Sequence, residues 1–185
     1  MNSSYMTCLK TFKLQKTPLK WALPVLLLSF ILLSCDDGDE KSEEEVADEA
    51  YIQELLDQHN TYRSDVGVSD IQWSEELAQS AQAWADELAK TCVLAHSSTE
   101  NGENIWKGTS GFFTAKDVVN TWGSENSFYN YSDNSCDDGQ DCGHYTQIIW
   151  AKSTELGCGM STCDGNDIWV CQYSPAGNVI GEKPY

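Results

Sequence analysis

The chain has 185 residues, with 29 acidic against 11 basic side chains and a formal charge of −18 at neutral pH. That balance excludes a nucleic-acid partner, which is recognised by lysine and arginine replacing the counterions of phosphate. An anionic lipid headgroup is disfavoured for the same reason, whereas cationic ligands and metal ions remain open.

Residues 1–34 hold Lys10, Lys13, Lys16 and Lys20, no acid, and the apolar run WALPVLLLSFILLS ending at Ser34. A membrane-spanning helix needs roughly 20 apolar residues, and this run is shorter and interrupted by Pro24. A basic head, an apolar middle and a small residue before Cys35 predict an export signal. The tetrapeptide LLSC, Leu32 to Cys35, resembles a bacterial lipobox. That resemblance implies lipid modification of Cys35 as the first residue of the mature chain. The expected location is extracytoplasmic: anchored to a membrane through Cys35, in the periplasm or at the cell surface, and otherwise secreted. Residues 35–50 follow as an acidic, flexible tether, with nine acids and one lysine between Asp36 and Ala50. Such a stretch buries too little apolar surface to offset the cost of ordering.

Residues 51–185 are of single-domain size and keep 20 acids against six bases. In YIQELLDQHNTYR, Ile52, Leu55, Leu56, His59 and Tyr62 recur on one face of a helix. SEELAQSAQAWADELAK predicts a second helix, with Ser74 as N-cap and Glu75 and Glu76 in the first turn. Its buried face carries Leu77, Ala81, Trp84, Ala85 and Leu88, and the small alanines predict close packing against another element. HSSTENGENIWKGTSGFF, residues 96–113, shows no sustained period and several glycines, and predicts a loop. Thr114 is placed to cap a third helix, AKDVVNTWGSEN, with Val118, Trp122 and Glu125 on one face. The runs GHYTQIIWA, TELGCGMSTC and NDIWVCQYS then read as consecutive antiparallel strands, with the turn CDGND between the last two. Ile148, Ile149 and Trp150, like Ile168, Trp169 and Val170, are apolar in succession, which fits a sheet covered on both faces. Early helices and late strands predict an α+β fold, a three-layer α-β-α sandwich around a small antiparallel sheet.

Six cysteines in the domain, Cys92, Cys136, Cys142, Cys158, Cys163 and Cys171, predict three disulfides in an exported chain, with 15 pairings open on counting alone. Three histidines are present. His59 sits on an apolar helix face and reads as a hydrogen-bonded core residue. His96 shares its loop with Glu103, His144 opens the predicted strand, and Glu125 is a carboxylate on an inward face. Spacing alone does not join these last four.

The blocks HNTYR, WSEELAQSAQAWA, AHSS followed by GEN, TWGSENSFYNY, GHYTQIIW and VCQYSPAGNVIGEKPY occur in that order over nearly the whole domain. In these blocks the chain resembles the CAP superfamily of cysteine-rich secretory proteins, antigen-5 proteins and plant pathogenesis-related proteins of group one. The resemblance implies an α-β-α sandwich and an open cleft lined by His96, Glu103, Glu125 and His144. It implies a divalent cation, zinc in some members, held through His96 and His144. It also implies the pairings Cys92–Cys163, Cys136–Cys142 and Cys158–Cys171; a monomer is expected. Asn101 stands where an aromatic often precedes the GEN motif, which alters the cleft wall and leaves the four site residues in place.

Two neutral imidazoles suit Zn²⁺ and leave coordination positions open, and such a site binds metal less well as its ligands protonate. The favoured function is a non-enzymatic binding module for a metal and a small lipid, sterol or peptide. The alternative is a metal-dependent hydrolase, with Glu103 or Glu125 as general base on a metal-bound water. A protease variant would recruit Ser97, but the adjacent His96 is poorly placed to serve as its base.

Overall fold

The computed structural model describes residues 43–185. The expected export signal, the acylated Cys35 and residues 36–42 of the tether lie outside the described residues. The remainder of the tether differs from expectation: α1 spans Glu43–Asp65, so residues 43–50 have helical backbone. The cause is composition, because glutamate and alanine are strong helix formers.

β1 (Gln72–Trp73) precedes α2 (Glu75–Ala89), whose N-cap Ser74 accepts the Leu77 N–H. β2 covers Gly102–Thr109 and α3 covers Ala115–Gly123, which opens with a reciprocal capping box between Thr114 and Asp117. A 3₁₀ turn, Ser124–Phe128, carries Glu125 just beyond α3. Two short strands, β3 (Tyr129–Asn130) and β4 (Ser135–Cys136), pair with each other before α4 (Gly143–Ile148). β5 (Glu155–Cys163) and β6 (Asn166–Ser174) form a hairpin through Asp164 and Gly165, both at positive φ. The main sheet has the order β1-β5-β6-β2, antiparallel except for the short β1–β5 pairing.

Both faces of this sheet are covered. Trp169, Cys171 and Tyr173 of β6 face a core shared with Leu55, Val118, Trp122, Ile148 and Ile149. The alternate residues Ile168 and Val170 face Ala81, Ala85 and Leu88 of α2. Strand periodicity thus divides one apolar run between two cores. The alanine face of α2 meets glycines on β5. A Cβ on Gly157 would lie 2.1 Å from the Ala78 nitrogen, and one on Gly159 would lie 2.4 Å from the Gln82 Cα. Three disulfides staple this α-β-α sandwich. They join Cys92 to Cys163, Cys136 to Cys142, and Cys158 to Cys171, the last a directly opposed pair in the β5–β6 ladder.

Two elements depart from the sequence expectation. Part of the predicted loop 96–113 is β2, an edge strand that pairs with β6 over its whole length. Its alternation is hidden because Ile105 and Trp106 pack against opposite cores while Lys107 and Thr109 are exposed. The run GHYTQIIWA is not a strand: it forms α4 and the turn after it. Remote charges hold this short helix at both ends. Glu125 accepts the N–H groups of His144 and Tyr145 at 2.9 and 3.0 Å. The buried guanidinium of Arg63 donates to the carbonyls of Ile148, Trp150, Ser153 and Ser69 at 2.8–3.0 Å. Those contacts satisfy groups that a helix end leaves without partners, and they override the β preference of Ile148 and Ile149.

Candidate functional site

The structure joins the four expected residues two by two, His96 to Glu103 and His144 to Glu125. In the first, His96 Nδ1 lies 2.9 Å from Glu103 Oε1. The same oxygen accepts the Ser97 N–H at 2.9 Å, and Gln172 Nε2 donates to Glu103 Oε2 at 3.2 Å. Glu103 and Gln172 are opposed in the β2–β6 register. Asn101, which replaces the aromatic of the related pattern, donates to Gln172 Oε1 at 3.2 Å and so continues the same polar row. The Glu103 side chain is 5% exposed and that of His96 is 62% exposed, so the imidazole stands out from a buried carboxylate.

In the second pair, His144 Nδ1 lies 2.6 Å from Glu125 Oε1. Glu125 sits on the turn after α3 rather than on the Val118/Trp122 helix face, and its remaining oxygen caps α4. The His144 ring stacks on Trp122, with centroids 6.0 Å apart and planes 16° from parallel. Here the imidazole is more enclosed, at 27% exposure.

Asn104, next to Glu103 on β2, ties the second pair to the sheet. Its Nδ2 donates to the His144 carbonyl and to the Tyr173 hydroxyl, both at 3.1 Å. Behind it lies His59, fully buried as its helix face implied. His59 Nδ1 donates to the Leu55 carbonyl at 2.8 Å, so in the neutral ring Nε2 accepts from the Tyr173 hydroxyl, also at 2.8 Å. Burial pulls the His59 pKa down to about 4 and pushes the Tyr173 hydroxyl well above its usual value. Both are therefore neutral near pH 7, and the relay belongs to the core.

A carboxylate can only accept, so each site histidine holds its proton on Nδ1 toward glutamate and turns Nε2 elsewhere. This is the arrangement by which proteins orient a metal-binding imidazole, the carboxylate fixing the tautomer and the ring plane. The donor set therefore fits a borderline divalent cation such as Zn²⁺. In it the glutamates act first as orienting partners.

Among the described residues, the group of potential ligands lying within 4.8 Å of one another is Glu125, Asp141 and His144. Asp141 was not anticipated from the sequence. The signal was present as a carboxylate three residues before His144, but it was hidden in the acid-rich loop CDDGQDC. A groove of about 400 Å³, lined in part by Tyr129, Asp141, Gly143, Thr146, Asn178 and Pro184, runs alongside this corner.

The sequence profile described as "Cysteine-rich secretory protein family" (CAP) matches residues 56–173. Pathogenesis-related protein 1C of Nicotiana tabacum is 45% identical over 134 residues, which are 72% of this chain and 80% of that protein. Pathogenesis-related protein 1 of Arabidopsis thaliana is 44% identical over 134 residues, 72% of this chain and 81% of that protein. Among solved structures, venom allergen-like protein 4 of Schistosoma mansoni superposes with a TM-score of 0.59 at 25% identity. That superposition covers 72% of this chain and 92% of the other.

Proposed function

Since the chain belongs to the CAP, or cysteine-rich secretory protein, family, we propose that it is an exported binding module that carries a divalent cation, Zn²⁺ foremost, in the cleft of His96, Glu103, Glu125 and His144. The observation that carries this reading is the paired geometry: both imidazoles are fixed through Nδ1 by a carboxylate. A groove of about 410 Å³ between α1 and α2, lined in part by Tyr51, Ile52, Trp73, Ala78, Gln82 and Cys158, is of a size and polarity suited to a small lipid, sterol or peptide.

Binding is favoured over turnover because the two carboxylates are engaged. Glu125 accepts three N–H donors, and so does Glu103. A carboxylate has about four lone-pair positions in all, which leaves little room for a water to be deprotonated. Export and an anchor on Cys35, in the periplasm or at the cell surface, complete the proposal. Acylation of Cys35 would appear in the mass of the mature N-terminus, and an unmodified start elsewhere would remove the anchor.

The functional test combines Zn²⁺ titration, lipid and sterol capture, and peptide and ester turnover with and without chelator. Saturable metal binding without turnover is expected. Chelator-sensitive turnover lost in Glu103→Gln or Glu125→Gln would replace the binding reading with the hydrolytic one.

A further inference from the structure

We propose that the outer edge of β2 is a docking strand for an extended, basic peptide, which adds to the main sheet as a fifth strand beside the two site histidines. The proposal rests on the binding-module reading above and names the ligand class that the cleft takes.

The sheet order leaves β2 at an edge, paired with β6 alone. Its register fixes which backbone groups face outward. The Ser110 N–H donates to the Gly165 carbonyl at 3.0 Å, one step beyond the opposed residues Thr109 and Asn166. Hydrogen-bonded pairs alternate along an antiparallel ladder. Asn104 and Trp106 therefore turn their N–H and C=O groups toward β6, while Glu103, Ile105 and Lys107 turn theirs away. Among the described residues, these outward groups meet no backbone or side-chain partner. The Glu103 side chain is 5% exposed, yet the residue as a whole is only half-buried, so main chain supplies most of the surface it exposes. Such an edge is a template for an added strand.

Apolar side chains border the edge on both faces. On the α2 side, Lys107 Nζ donates to the Cys92 carbonyl and the Ser97 N–H donates to Glu103. The segment between those contacts carries exposed Val93 and Leu94 beside half-buried Ile105. On the opposite side the Trp106 ring meets Phe113 edge-on, with centroids 4.7 Å apart, and Phe112 is exposed next to it. An added strand alternates its own side chains between these two borders. The same stretch carries the site: Glu103 holds His96 on one face, and Asn104 donates to the His144 carbonyl on the other.

Charge selects the occupant. Residues 51–185 carry 20 acids against six bases, so two copies meeting edge to edge would repel, and Lys107 on the edge further discourages self-pairing. At the site end of β2, Glu100 precedes the strand and Asp141 stands beside His144, both exposed. A lysine- or arginine-rich peptide complements that field.

The probe is an array of acetylated, amidated octapeptides of random sequence, screened with the full chain in detergent. Binders should be net positive. Each would be remade with one N-methyl group at a time, which removes a single N–H from the peptide. Strand pairing predicts an affinity loss of about tenfold at every second residue and little change between. Lys107→Pro removes an outward N–H while leaving the β6 ladder intact. It should weaken binding by a similar factor, and Lys107→Ala should not. Amide exchange at Ile105 and Lys107 should slow on binding, with Trp106 unchanged.

The N-methyl scan uses unaltered protein, so it does not depend on the proline variant folding. No binder in the array, acidic binders, or N-methyl effects without alternation would each overturn the docking edge. So would outward amides already protected in a peptide-free dimer. Zn²⁺ titration of the same preparation is read separately: a chain that takes up Zn²⁺ and no peptide loses this proposal and keeps the metal reading.

Discussion

Glu125 holds His144 at both ring and backbone across 19 residues of sequence: Oε1 takes the imidazole Nδ1 at 2.6 Å and Oε2 takes the His144 N–H at 2.9 Å. One carboxylate therefore orients the candidate metal ligand and caps the helix on which it rides. Stability and metal affinity are coupled through it.

That coupling gives the first prediction. Glu125→Gln keeps the shape but loses the charge and one acceptor oxygen. It should lower stability by about 1–3 kcal/mol, the usual cost of leaving buried donors unsatisfied. It should also weaken Zn²⁺ binding about 10–100-fold, as losses of orienting partners do. Urea denaturation and calorimetry on one preparation would measure both. A loss of affinity without a loss of stability would show that Glu125 does not cap α4.

Arg63 is the counterpart at the other end of α4. It is 1% exposed and donates to four carbonyls. Arg63→Met removes the guanidinium donor from the carbonyls of Ile148 and Ser153 in the buried interior, while the Trp150 carbonyl keeps the Ser153 N–H, and should cost about 3 kcal/mol. Arg63→Lys should recover only part of this, because one ammonium cannot reproduce the planar fork. The readout is the urea midpoint at constant slope.

His59 sets the acid limb of stability. Its pKa is about 4 in the folded protein because burial disfavours the charged ring, against an ordinary value of 6.5. The unfolded chain therefore binds the proton more tightly, and folding stability falls as pH drops from about 6.5 to about 4. At about 1.4 kcal/mol per pKa unit, the loss amounts to about 3 kcal/mol across that window. Denaturation measured at several pH values should show this slope in the wild type and a shallower one in His59→Gln. Equal slopes would mean that other groups carry the acid sensitivity.

The disulfides should rank by the length of chain they close. Cys92 and Cys163 are 71 residues apart, while Cys136 and Cys142 are six apart. Loop entropy predicts losses of about 4 kcal/mol for a Cys92→Ser, Cys163→Ser protein and about 2 kcal/mol for a Cys136→Ser, Cys142→Ser protein. The second protein should also lose Zn²⁺ affinity, because that bridge ends at Cys142, two residues before His144. Thermal unfolding and titration would check the order.

The legible parts of the fold are those in which local chemistry and tertiary structure agree. Ser74 and Thr114 cap their helices as their positions imply, and the β5–β6 hairpin turns at Asp164 and Gly165. The failures share one cause. α4 exists because Glu125 and Arg63, both distant in sequence, hold its ends, so GHYTQIIWA keeps a strand-like composition without being a strand. β2 is an edge strand whose two apolar residues serve different cores. The four site residues could not be joined by spacing and came together only through resemblance to a family. The Nδ1-to-carboxylate geometry was not legible at all, since it depends on where β2, α4 and the turn after α3 meet. Asp141 was hidden among other acids of its loop.

The central claim, that the two oriented histidines hold a divalent cation, is tested most directly by calorimetric Zn²⁺ titration of the wild type and of a protein carrying both His96→Ala and His144→Ala. The account predicts saturable binding by the wild type and none by the double variant, with the double variant still folded by circular dichroism. Wild-type affinity retained in the folded double variant would contradict it.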